Sequence, residues 1–173
     1  MTTQRAPRPK QKATSPTLEL LAPGSAAIDA VDRAIITLLQ EDGRRAWGAI
    51  AAEVGISEPA VRRRVQRLKD AGVMQIVAIT DPLQLGYGRE ALVGIRVHGD
   101  VRTVADAIAA IDAANYVVMT AGSYDIIAEL VAVNDAALVA LLNDQIRSIP
   151  GVTEVETFIY LKLSKQTFNW GTR

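Results

Sequence analysis

Between residues 28 and 39 the apolar positions return to one side of a helix. Ile28, Val31, Ile35, Leu38 and Leu39 follow the i, i+3, i+7, i+10, i+11 spacing of a buried face. Asp29 and Asp32 fall in the first turn, where the helix dipole favours negative charge, and Asp42-Gly43 ends the element. A second helix is expected at about 47–54, with Ile50, Ala51 and Val54 inward and Trp47 packing at its start. Gly55 suits the left-handed residue that ends a helix. Ser57 is placed to cap a third helix, and Pro59 lies in its first turn, where a missing N–H does little harm. That helix runs to about Ala71 and stops at Gly72, with Val61, Val65, Leu68 and Ala71 on its inner arc. Three short helices, the last two joined by a tight glycine turn, are the helix-turn-helix pattern.

The period then changes. VMQIVAIT (73–80) is β-branched and apolar, a strand expected to pair as a wing or with a partner chain. DPLQLGYG (81–88) is rich in turn residues and reads as the inter-domain hinge, taken over residues 81–90. Two similar units follow. ALVGIRVH (91–98) is a strand, residues 101–113 a helix with Val101, Val104, Ala105, Ile108 and Ile111 inward, and NYVVMTAG (115–122) a strand. DIIAELVAV (125–133) is a strand, residues 136–149 are helical, and VTEVETFIYLKL (152–163) is the last strand. The fold class is therefore α+β, a winged helix-turn-helix followed by a ferredoxin-like βαββαβ plait over 91–163. Helices on one face of an antiparallel sheet leave the other uncovered, and apolar Val93, Val118 and Ile127 make dimerisation the expected solution.

Composition narrows the function. The 173 residues suit one ordinary domain or two small ones, and the 49% hydrophobic and 22% charged content is that of a soluble globular chain. No run of 18 apolar residues predicts a membrane span, and no secretory leader is read at the N-terminus. No cysteine is present, which fits a reducing cytoplasm. The single histidine, His98, ends a strand and is read as a surface imidazole. No metal site, catalytic set or phosphate-cradling glycine loop is expected.

The zero net charge hides an asymmetry. Residues 1–80 hold 12 Lys and Arg against 8 Asp and Glu, whereas residues 81–173 hold 7 against 11. A basic front half is a candidate for phosphate contact. Residues 1–27, with Pro7, Pro9, Pro16, Pro23, Arg5, Arg8, Lys10 and Lys12, read as a mobile basic tail.

The third helix carries four arginines in six positions: Arg62, Arg63, Arg64 and Arg67. Such a run is either a solvated face or a surface for an acidic partner. Glu58 reaches Arg62 at i,i+4, but nothing acidic stands four residues from Arg63 or Arg64. As the second helix of a helix-turn-helix it would enter the major groove of double-stranded DNA by its N-terminus. Ser57, Glu58, Pro59 and Arg63 would then lie nearest the base edges. Arg62, Arg64, Arg67 and Lys69 are placed for phosphates or intramolecular pairing, and Arg44 and Arg45 add backbone contacts before helix two.

Four stretches in this order resemble the Lrp/AsnC, or feast/famine, family of transcription regulators: IDAVDRAIITLLQEDGR (28–44), IAAEVGISEPAVRRRVQRLKDAGVM (50–74), TAGSYDIIAEL (120–130) and IPGVTEVETFIYLKLSK (149–165). The chain departs from the common pattern at Ala46, where Ser or Thr often caps helix two, and at Ala49, where an acidic residue is usual. VMQIVAITDP lacks the common Gly-Tyr and is one residue shorter. The resemblance implies a plait domain of the RAM type, dimers assembling into tetramers or octamers, and an imperfect palindromic operator. It also implies a small effector, most often an amino acid, at a dimer–dimer interface, and no other cofactor. The matching motif is Gly122-Ser123-Tyr124-Asp125, with Thr157 of the last strand as a further candidate. There Gly122 lets backbone approach a ligand, Asp125 receives an ammonium group, and turn amides bind a carboxylate. The plainer reading is a tight hairpin in which Gly122 supplies positive φ and Asp125 bonds its own turn. Two other functions compete: an architectural DNA-binding protein without an effector, and a tetrapyrrole decarboxylase, against which the lone His98 and the arginine helix count. Residues 164–173 read as a tail in which Trp170 is a candidate for packing on a neighbouring subunit.

Overall fold

The computed structural model describes residues 27–167. The segments read as tails therefore lie largely outside the described residues, Trp170 among them. The chain divides into two compact units, with the change between Val77 and Ala78.

In the first unit, α1 (Ala30–Glu41), α2 (Trp47–Val54) and α3 (Glu58–Asp70) enclose Ile35, Leu38, Leu39, Ile50, Ala51, Val61 and Val65. Trp47 packs at the rim of this core, as its position predicted. Helix α1 starts two residues later than Ile28, because Asp29 and Asp32 form a capping box. The Asp32 amide donates to Asp29 Oδ1 at 2.8 Å, and the Asp29 amide to Asp32 Oδ2 at 3.2 Å. Ala46 heads α2 with no side-chain cap, and Gly55 ends it at φ 73°. Ser57 occupies the cap position of α3 but makes no side-chain cap bond. The next-but-one residue is Pro59, which has no N–H to donate, and the Ala60 amide is taken by the Ser57 carbonyl at 3.0 Å. Ala71, expected inward, caps the helix and is exposed.

Residues 74–80 form no strand, so no paired wing exists among the described residues. A strand needs a partner for its N–H and C=O groups, and the described chain offers this segment none. Ile76, Val77 and Ile79 are left exposed. Within the segment expected to be a hinge, Pro82–Leu85 makes one 3₁₀ turn, capped by Asp81.

The second unit is a four-stranded antiparallel sheet in the order β2-β3-β1-β4, built from β1 (Arg89–Val97), β2 (Ala114–Met119), β3 (Ile126–Ala132) and β4 (Val152–Ile159). Helix α4 (Val101–Ala109) and α5 (Asp135–Ala140), the latter continued by wider π turns over Leu141–Ile146, complete the βαββαβ order. The core is Val93, Ile95, Val104, Ile108, Ile126, Ala128, Leu130, Leu141 and Ile146, between the sheet and both helices. Helix α4 is shorter than the periodicity suggested, although Ile111 still packs on the core from the turn that follows. Strand β4 ends at Ile159, opposite Ala91 of β1, and one further bond runs from the Tyr160 amide to the Glu90 carbonyl at 2.9 Å.

Pairing fixes the two faces of the sheet. Val93 is fully buried against the helices, so it is not part of the uncovered face on which the sequence pattern put it. Val118 does lie on that face, opposite Ile127, as do Leu92, Gly94 and Arg96 of β1.

Candidate nucleic-acid interface and effector loop

The four arginines of α3 prove unequal. Arg62 is bound to Glu58 one turn back, with Nη2–Oε1 at 2.6 Å and Nε–Oε1 at 3.1 Å. Arg63 is exposed and makes no ion pair among the described residues. Arg64 turns to α1, giving Nη1 to Asp29 Oδ2 at 2.6 Å and to Asp32 Oδ1 at 2.8 Å. Arg67 donates Nη2 to Asp32 Oδ2. Lys69 and Arg44 are exposed without ion pairs among the described residues, whereas Arg45 pairs with Glu53 and with Glu41 at 3.7 Å.

Asp32 is the residue that the sequence reading missed as a partner. It is fully buried, and it is the one buried charged side chain among the described residues. Burial pushes its carboxyl up, but the hydrogen bonds from Arg64, the Asp29 amide and Arg67 outweigh this and hold it below the usual carboxylate range. Asp29 is lowered as well, by the Asp32 amide first and then by Arg64. The signal was present: Asp32 stands three residues before Ile35 and seven before Leu39, on the apolar side of α1. Its arginines, 32 and 35 positions away, had no sequence mark.

Arg63, Arg64, Arg67, Asp29, Ile56 and Ala60 line a shallow depression of about 360 Å³ on the outer side of this unit. Exposed Ser57, Glu58 and Pro59 lie at the N-terminal end of the same helix. An exposed helix face with ion-paired arginines and one unpaired arginine near its N-terminus has the chemistry to read a guanine edge and hold phosphate.

The loop between β2 and β3 is tied to β1 by Asp125. Its amide donates to the Ile95 carbonyl at 3.0 Å, and its Oδ2 accepts from the Val97 amide at 2.8 Å. The side chain thus bonds the neighbouring strand, not its own turn. Gly122 is not among the glycines with positive φ, so the hairpin does not depend on that conformation. Thr120 closes the loop, its amide donating to the Asp125 carbonyl at 2.8 Å and its hydroxyl to the Tyr124 carbonyl. Tyr124 folds over Gly94; a Cβ at Gly94 would lie 2.7 Å from the ring, so only glycine admits it. The Arg96 guanidinium stands 5.8 Å from the same ring centroid. Gly122 and Ser123 are exposed at the tip.

Thr157 is not brought to this loop within one chain. It pairs with Val93, and paired residues point to the same side, toward the helices, whereas Tyr124 covers Gly94 on the opposite side. His98 is exposed at the end of β1. Among the described residues no group of three or more His, Asp or Glu side chains is arranged to hold a metal ion, and no helix is long and apolar enough to cross a membrane.

Comparison with known proteins matches both units. Residues 28–69 match the AsnC-type helix-turn-helix domain, and residues 90–170 the Lrp/AsnC ligand binding domain. The HTH-type transcriptional regulator FL11 of Pyrococcus abyssi is 34% identical over 143 residues, covering 82% of this chain and 94% of that protein. Among solved structures, E. coli AsnC superposes with a TM-score of 0.71 at 27% identity, over 80% of this chain and 95% of that one. The Mycobacterium tuberculosis leucine response regulatory protein LrpA gives 0.73 at 26% identity, over 80% and 95%.

Proposed function

This chain belongs to the Lrp/AsnC family, a DNA-binding transcriptional regulator with a ligand-binding domain, and from that premise we propose how its residues share the work. Helix α3 is the recognition helix. Arg63 reads bases, with Ser57, Glu58 and Pro59 beside it; Arg62, Lys69, Arg44 and Arg45 meet phosphates, and Arg64 and Arg67 chiefly hold the helix to α1. The observation that carries this reading is the contrast on α3, where Arg63 alone of the four arginines has no carboxylate partner among the described residues. Arg63→Ala is expected to lower affinity and to relax sequence choice. It is measured on a duplex that the full chain selects from a randomised pool and on random duplex, and equal loss on both would overturn the assignment.

The effector is proposed to be an amino acid or related metabolite bound at the Gly122–Asp125 loop. The match to a ligand binding domain supports this, as does the likeness to a leucine response protein. The loop's exposed tip and tethered base suit a site completed by a second copy, to which Thr157 would belong. Asp125 retains Oδ1 for an ammonium group while Oδ2 holds the Val97 amide. The open sheet face, with Val118, Ile127 and Leu92, supports a homodimer that assembles further to a tetramer or octamer on an imperfect palindrome in the cytoplasm. Residues 28–80, 81–90 and 91–163 are the proposed DNA-binding, hinge and effector segments. A thermal-shift screen of amino acids against the full chain tests the effector. A hit retained by Asp125→Ala would remove Asp125 from the site, and an empty screen with intact DNA binding would favour an architectural role.

A further inference from the structure

On the reading of α3 as the recognition helix, we infer that Asp32, outside that helix, is a specificity-determining residue: it withdraws Arg64 and Arg67 from indiscriminate phosphate binding. The depression beside α3 brings together Arg63, Arg64 and Arg67. Three arginines on a groove-entering surface would each offer a charge to the phosphates of any sequence. Non-specific affinity is built from such contacts, each adding about 0.9 to the log–log salt slope. Discrimination is the ratio of specific to non-specific binding, so surplus phosphate contacts erode it.

Asp32 and Asp29 set two carboxylates against those three cations. Asp32 uses both oxygens, Oδ1 on Arg64 and Oδ2 on Arg67, and Asp29 adds a second bond to Arg64. One net positive charge remains, formally that of Arg63. The arrangement differs from an inert structural ion pair because both arginines still reach solvent, with 30% of the Arg64 and 54% of the Arg67 side chain exposed. They are close enough to the surface to reach phosphate if released. Only Asp32 is sealed, and it cannot move away with them. A buried ion pair is in itself weak support for stability, since well-packed apolar residues in place of all its members often serve as well. The position of Asp32 makes sense as an electrostatic restraint on the helix above it.

The experiment measures the full chain on selected and random duplexes across a potassium chloride series, for the parent, Asp32→Asn, Asp29→Asn and Asp106→Asn. The last adds the same charge at an exposed site of α4 and controls for net charge. Asp32→Asn is expected to steepen the salt slope on random duplex by about 0.9 for each arginine released, and to lower the selected-to-random affinity ratio. Asp29→Asn, which retains an N-cap acceptor, should shift both in the same direction by less. Slopes equal to that of Asp106→Asn in variants folded by circular dichroism would overturn the inference. If Asp32→Asn does not fold, Asp29→Asn decides by the same criterion. A parent that binds no duplex would overturn the recognition-helix reading itself, and this inference with it; a binding parent with unchanged variant slopes would sink the inference alone.

Discussion

The two units each bring a carboxylate out of water, and they treat it in opposite ways. Asp32 in the helical unit is fully buried and answered by two arginines. Glu90 in the sheet unit is half-buried beside Glu129 and Asp81, and its carboxyl is pushed up, by burial first and then by those two like charges. The Tyr160 hydroxyl donates to Glu129 at 2.6 Å, and burial and that carboxylate raise the Tyr160 phenol in turn. A charge met by opposite charge locks elements together. A charge met by like charge costs stability when it is ionised.

Three measurements test the contacts within the two units, beginning with the largest expected effect. Asp32→Ala removes the shared partner of Arg64 and Arg67 and half of the α1 capping box. The loss is expected to be about 3 kcal/mol, at the low end for a broken buried pair because both arginines reach solvent. Urea unfolding followed by far-UV circular dichroism reads it, and a loss below about 1 kcal/mol, the scale of a lone cap, would show that the ion pairs hold nothing. Next, Gly94→Ala drives a methyl into the Tyr124 ring and should cost about 1–3 kcal/mol by overpacking. Tyr124→Ala in the same chain should recover part of that cost; no recovery would place the strain elsewhere.

The smallest effect is in pH, where the two carboxylates have opposite signs. Asp32 and Asp29 have lowered folded values, so their stabilisation is present above about pH 3.9 and is lost as pH falls through those lowered values. Glu90 has a raised folded value, so its contribution is present below about pH 4.3 and is lost as pH rises through that raised value. Glu90→Gln should therefore stabilise the full chain at pH 7 relative to the parent, with the difference shrinking toward pH 4.5. A constant difference across that range, by thermal unfolding, would deny Glu90 the role.

The helices and strands were largely legible because each rests on a local period. Ile35, Leu38 and Leu39, or Val93 and Ile95, repeat at the spacing of the face they bury. The misplacements arose where a partner decides. Residues 73–80 have strand composition but no neighbour to pair with in the described chain, and the face that Val93 takes is fixed by the β1–β3 register, not by its apolar side chain. Ser57 sits at the right position, yet Pro59 removes a donor its hydroxyl would have used.

By itself, the sequence determined the order of the five helices and of the four sheet strands, the family and the helix that carries the arginines, since periodicity, turn chemistry and motif spacing are properties of neighbours along the chain. Only the tertiary structure decided which arginine is unpaired and which carboxylate is sealed. It also seated Tyr124 on Gly94 and tied Asp125 to β1. Those outcomes depend on short-range contacts, effective within a few ångströms, between residues about 30 positions apart.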